Sequence, residues 1–172
     1  MITNRKAKTS RQNGLAIIEF TVVSAVLLIV LFGIIEIARF VFSLQMLNEV
    51  TRRGARLATV CYVDQATKIP DLTSIKALAP YGYEKEMLKI DYLDDEGKVL
   101  YSGTGTISND TFLDIRFVRA RIVDFNYAFS LLKNVLGDSI SMPSFETILP
   151  SESLGIYRPL GDDTVPTSPN CA

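Results

Sequence analysis

From Phe20 to Ile35 the sequence holds sixteen consecutive uncharged, mostly aliphatic residues, and Leu15 to Ile18 add four more apolar positions before them. Only Glu19 interrupts the run. Read as a helix, 15–35 is about 31 Å long, enough to cross the hydrocarbon core of a bilayer. A carboxylate in that setting costs a few kcal/mol, so Glu19 requires a partner or a route to the interface. Arg5, Lys6, Lys8 and Arg11 precede the run with no acid among them. This asymmetry places the N-terminus on the cytoplasmic side and the remainder of the chain across the membrane. A cleaved secretory signal also starts basic and turns apolar, but its core is about 7–15 residues long and ends at a small-x-small site. Here the run is longer, carries a charge, and is followed by no convincing Ala-x-Ala. An uncleaved signal anchor is the stronger competing reading.

The rest of the composition narrows function mainly by exclusion. The 172 residues leave room for one ordinary domain beyond the apolar helix. Without residues 1–14, 14 basic residues face 19 acidic ones, and no basic face suited to nucleic acid is visible. There is no histidine, which removes His-based triads, bases and metal ligands. Two cysteines cannot make a four-cysteine structural zinc site. Gly103-Thr104-Gly105 has Ser108 where a dinucleotide loop needs its third glycine, and no βαβ context surrounds it. Asp91, Asp94, Asp95 and Glu96 do not have the spacing of an EF-hand loop, and they read as a solvated hairpin turn. The expectation is a chain with no catalytic residues, no cofactor, no metal and no small-molecule substrate.

Counted from Leu15 as position one, Glu19 is fifth and Phe20 sixth. A short basic leader ending in Gly14, four mostly apolar residues, then Glu and an aromatic resembles the prepilin-peptidase motif of type IV pilins. Adding I-E-I-A-R-F and N-E-V-T-R-R-G-A-R-L-A further along, the chain from residue 11 to about 61 resembles the TadE-like pseudopilins of the Flp/Tad branch. That resemblance implies cleavage between Gly14 and Leu15 by a membrane aspartic peptidase. It also implies that Glu19, with Phe20 beside it, sets subunit register by facing a neighbour's new amino terminus. An amine and a carboxylate on adjacent chains neutralise each other where either alone is costly. Leu15 departs from the small or β-branched first residue of many pilins. Implied partners are other pilin or pseudopilin subunits, the prepilin peptidase, the Tad inner-membrane assembly platform and the lipid bilayer.

Nothing between Glu36 and Cys61 breaks a helix: there is no proline, and Gly54 is the one interior glycine. Phe40, Leu44, Leu47, Val50, Gly54, Leu57, Ala58 and Cys61 fall on one side, against Gln45, Asn48, Glu49, Arg52, Arg53, Arg56 and Thr59 on the other. Glu49 can pair with Arg52 and Arg53. The three arginines read as a solvated face, with headgroup or partner contact as the sharper alternative. A continuous helix from Leu15 to Cys61 would be about 70 Å long; an anchor kinked near Glu36 is the alternative.

Beyond Cys61 the sequence turns β-rich. Residues 64–83 read as a connector with a short helix around Leu72–Ala79. Leu88, Ile90 and Tyr92 alternate with Lys89 and Asp91 as a strand, turning at Asp94–Gly97 into a partner strand over Lys98–Tyr101. Phe112 to Phe125 reads as a long strand with a bulge near Phe117 and Val118, where the apolar phase shifts by one. A short helix over Phe129–Leu136 ends at Gly137, one last strand lies within Ile140–Leu149, and the tail from Ser151 is irregular. Cys61 and Cys171 form a candidate disulfide across a head in an oxidising compartment; a buried thiol and a loose one are the alternative.

The expected organisation is a basic leader (1–14), a long helix (15–61) whose 15–35 part spans the inner membrane, and a periplasmic α+β head (62–172). The expected function is that of a minor pilin or pseudopilin in assembly of a Flp/Tad-type pilus. An uncleaved single-pass receptor or anchored binding protein is the rival.

Overall fold

The computed structural model describes residues 12–131 and 133–156. The basic leader before Gln12 and Cys171 therefore lie outside the described residues. Helix α1 runs unbroken from Gln12 to Val60, 49 residues or about 73 Å, with no break at Glu36. The absence of proline permits this length, and straight-chain and aliphatic residues dominate its course. Its upper part lies across a four-stranded antiparallel sheet of β1 (Leu88–Leu93), β2 (Val99–Tyr101), β3 (Phe117–Ile122) and β6 (Glu146–Pro150), in the order β2-β1-β3-β6. A second, two-stranded sheet pairs β4 (Asn126–Ala128) with β5 (Ser139–Ser141). Short helices α2 (Thr73–Lys76), α3 (Asn109–Leu113) and α4 (Lys133–Leu136) fill the connections.

The core forms where α1 meets the sheet. Leu47, Val50, Ala55 and Ala58 are fully buried from the helix side, and Val118, Ala120, Ile122, Ile90 and Tyr92 meet them from the strands. Small residues set the distance between the layers. A Cβ on Gly54 would sit 3.1 Å from a Leu88 methyl and 3.7 Å from the Ala120 Cβ, so glycine lets β1 and β3 press directly on the helix. The helix ends against the residue 151–156 segment. There the Leu154 N–H donates to the Thr59 carbonyl at 3.0 Å and Leu154 itself is buried. Gly155 has φ +77, and a Cβ there would lie 2.5 Å from the Tyr62 nitrogen, so the chain passes too close for any side chain.

Several sequence expectations hold in detail. The β1–β2 hairpin forms with Tyr92 opposite Tyr101, and its turn is tied by Asp94 Oδ1, which accepts from the N–H groups of Glu96 (3.0 Å) and Lys98 (2.8 Å). The short helix expected over Phe129–Leu136 is confined to α4, because the Phe129 N–H instead bonds to the Asp138 carbonyl; its end at Gly137, whose φ is +97, is as expected. Four further readings need correction. Thr59 is buried rather than on the polar side, because its hydroxyl is satisfied by the Arg56 carbonyl at 2.8 Å. The long strand expected over Phe112–Phe125 is confined to β3, and the phase shift at Phe117 is no bulge: α3, capped by Ser108 Oγ, takes up Asn109–Leu113, and β3 pairs in unbroken register from Phe117. In place of one last strand, Met142–Phe145 separates β5 from β6, which belong to different sheets. Asp91 is not part of a solvated turn. It is buried, accepting from Arg119 Nη2 (2.7 Å), Arg121 Nε (3.1 Å) and Ser102 Oγ (2.9 Å).

Candidate assembly interface

Below the head, α1 stands bare. Leu15 is 70% exposed and Phe20 73%, and Val22, Val23, Leu27, Ile29 and Ile34 are exposed with them. In the most apolar stretch of this helix no residue is buried within the chain, and among the described residues it is the one helix long and apolar enough to cross a membrane. So large an apolar surface is not stable in water and requires lipid or other helices. Glu19 lies exposed within it, without a hydrogen-bond or ionic partner in its own chain among the described residues. Among the described residues a Cβ at Gly14 would meet nothing within 4 Å apart from its chain neighbours and the helix's own backbone, and Leu15 follows it in the same open stretch of helix. Gly14, Leu15, Glu19 and Phe20 thus share the lower part of α1, below the head.

The apolar run ends at a second carboxylate, which the sequence reading did not single out. Glu36 is 2% exposed and is held by the head. Tyr127 Oη donates to it at 2.9 Å, the Leu131 N–H at 2.9 Å, the Ser130 N–H at 3.3 Å and Ser130 Oγ at 3.5 Å. Arg39 donates in turn to Ser130 Oγ. Burial raises the Glu36 pKa, but the Leu131, Tyr127 and Ser130 donors, with Arg39 nearby, outweigh it and leave the carboxyl below its ordinary value. Phe40 packs edge-on against Tyr127 with ring centroids 5.3 Å apart, and Tyr127 packs likewise against Phe129 at 5.5 Å. The clasp fixes the β4–β5 ribbon to the helix one residue beyond Ile35. A sequence signal for it exists: Glu36, Phe40, Ser43, Leu47, Val50 and Gly54 lie on one helical stripe, with the carboxylate at its lower end.

At the upper end of α1, Cys61 is fully buried, and its N–H donates to the Leu57 carbonyl at 2.8 Å. Glu49 pairs with Arg53 at 3.0 Å and with Arg52 at 3.9 Å. Together with Arg56, Leu57, Val60, Ser74, Thr147 and Leu149 these residues line a groove of about 660 Å³ between α1, α2 and edge strand β6. Among the described residues no cluster of three or more His, Cys, Asp or Glu side chains could hold a metal ion.

Residues 14–56 match the model of the TadE-like protein family. The chain is therefore TadE-like along α1 from Gly14 to Arg56, in line with a pilin-related protein of the Tad system. The TadE-like pilin family is a structural, non-enzymatic kind of protein, and the bare apolar helix of this chain is in keeping with a membrane anchor. No curated protein and no solved structure matches the chain.

Proposed function

We propose that this TadE-like, Tad pilus-associated chain is a minor pilin or pseudopilin that acts by helix–helix association in the inner membrane and by contacts of its head in the periplasm. The observation that carries the reading is the bare lower half of α1 with Glu19 unpartnered inside it. A helix of this kind stays in the bilayer as a single pass, N-terminus cytoplasmic, until neighbouring helices replace the lipid. Prepilin peptidase cleaves after Gly14, the α-amino group of Leu15 becomes free, and Glu19 of one subunit faces that amine on the next. The ion pair offsets the cost of both charges and selects one axial register over its neighbours. Phe20 packs beside the pair. The Tad assembly platform receives the processed subunit, and a Cys61–Cys171 disulfide pins the tail of the head to the top of α1.

The test is association of the full chain in membranes that contain the peptidase and the other pilin subunits. Replacing Glu19 with Ala is expected to abolish register-specific crosslinks between lower helices while leaving insertion and the folded head unchanged. Crosslinks of unchanged yield and position in that variant would remove the register role.

A further inference from the structure

The groove at the top of α1 has a complement on the same molecule. Its rim carries the guanidiniums of Arg52, Arg53 and Arg56 against one carboxylate, Glu49, which Arg53 and Arg52 already engage. Arg56 has no carboxylate partner among the described residues. The floor is apolar, formed by Leu57, Val60 and Leu149. At the opposite edge of the sheet, the β1–β2 turn exposes Asp95 and Glu96. Asp94 Oδ1 is spent on fastening the turn, whereas neither Asp95 nor Glu96 pairs with a cation among the described residues.

Both features lie toward the upper end of α1. Strand β1 starts with Leu88 at Gly54 and ends with Leu93 opposite Phe117, which pairs with Pro150; a few residues on, Leu154 bonds to Thr59. The acidic turn thus leaves β1 at its upper end, level with the Val60 and Leu149 end of the groove, while Leu88 at the other end of the strand lies at the level of the arginines. Headgroup phosphate is a poorer occupant. Arg52 lies seventeen residues past Ile35, about 25 Å of helix beyond the apolar run, well outside the interfacial layer.

We propose that the arginine groove of one copy receives the Asp95–Glu96 turn of a second copy, so that neighbouring heads contact edge to edge, β2 side to β6 side. Because the two patches differ, the contact is heterologous and extends from copy to copy instead of closing as a pair. Complementary charge supplies orientation and selectivity over a modest apolar floor. The inference rests on the proposed side-by-side assembly of the lower helices and adds the contact that sets the rotation of the heads.

The experiment uses the full chain in membranes with a photo-crosslinking residue at Ser74, on the rim of the groove but outside the charged set. A second probe at Leu27 reports lower-helix association independently. The Ser74 probe is expected to capture residues 94–98 of another copy. Arg52→Glu with Arg56→Glu lowers that adduct about tenfold or more, Asp95→Lys with Glu96→Lys does the same, and all four substitutions together restore most of it. Adducts to lipid, to the same chain's residues 157–172 or to another protein would overturn the proposal, as would a failure of the combined variant to recover. Absence of the Ser74 adduct in the parent chain with Leu27 crosslinks intact rejects this contact alone. Absence of both rejects the assembly reading with it.

Discussion

Replacing Glu36 with Ala tests whether the head is fastened to the helix where the apolar run ends. The carboxylate accepts two short hydrogen bonds, from Tyr127 Oη and the Leu131 N–H at 2.9 Å each, and a longer one from the Ser130 N–H at 3.3 Å. Hydrogen bonds to a charged group contribute about 1.5–3 kcal/mol each, and a buried donor left unsatisfied costs about 1–3 kcal/mol. Tyr127 is only 6% exposed, so its hydroxyl pays most of that penalty, whereas Leu131 is 48% exposed and water satisfies its N–H. The net loss is then about 3 kcal/mol, which for a head of this size lowers Tm by about 9–15 °C. Thermal unfolding of the full chain in detergent, followed by near-ultraviolet dichroism of its tyrosines, measures the shift. Hydrogen exchange over Asn126–Ser141 localises it, since the β4–β5 ribbon is what the clasp holds. A Tm within about 2 °C of the parent, with exchange in that ribbon unchanged, would refute the reasoning.

Further outcomes follow from the same structure. Because the Glu36 pKa is lowered from 4.5 on folding, its contribution is present above that value and is lost as pH falls through the folded one. Acid unfolding of Glu36→Gln is expected to be flatter than that of the parent below pH about 4.5. Gly155→Ala forces a Cβ onto the Tyr62 backbone at a residue with φ +77, and is expected to destabilise by about 2 kcal/mol or more, with faster exchange at Leu154. Gly54→Val drives a side chain into Leu88 and Ala120 and costs about 1–3 kcal/mol, read as a lower unfolding midpoint. Reduction, or Cys61→Ser, opens the proposed loop of roughly 110 residues and is expected to cost about 4–5 kcal/mol in the chain-entropy model. Equal stability of the oxidised and reduced chains would argue against that disulfide.

The parts of this fold that were legible in the sequence are those encoded locally. An unbroken apolar run, a 3.6-residue stripe and an alternating segment closed by Asp94–Gly97 announce α1 and the β1–β2 hairpin directly. What stayed hidden depends on partners far along the chain. Glu36 meets Tyr127 across 91 residues, and Asp91 meets Arg119 and Arg121 across 28 and 30; no period in the sequence links them. Strands β4 and β5 have three residues each, too few to show alternation. Thr59 reads as polar by residue type, but its hydroxyl bonds to the preceding turn of its own helix, so burial leaves nothing unsatisfied. The residues of the proposed assembly motif behave oppositely: Leu15, Glu19 and Phe20 are exposed, and the pattern they make with Gly14 is local in the sequence.

That contrast makes the N-terminal residue of the membrane-recovered protein the most direct test of processing and assembly. The measurement is made with and without a cognate prepilin peptidase. The expected result is a chain beginning at Leu15 only when the peptidase is present, with the amine that Glu19 faces newly exposed. A chain still beginning at residue 1 or 2 beside an active peptidase would contradict the account and make α1 an uncleaved anchor.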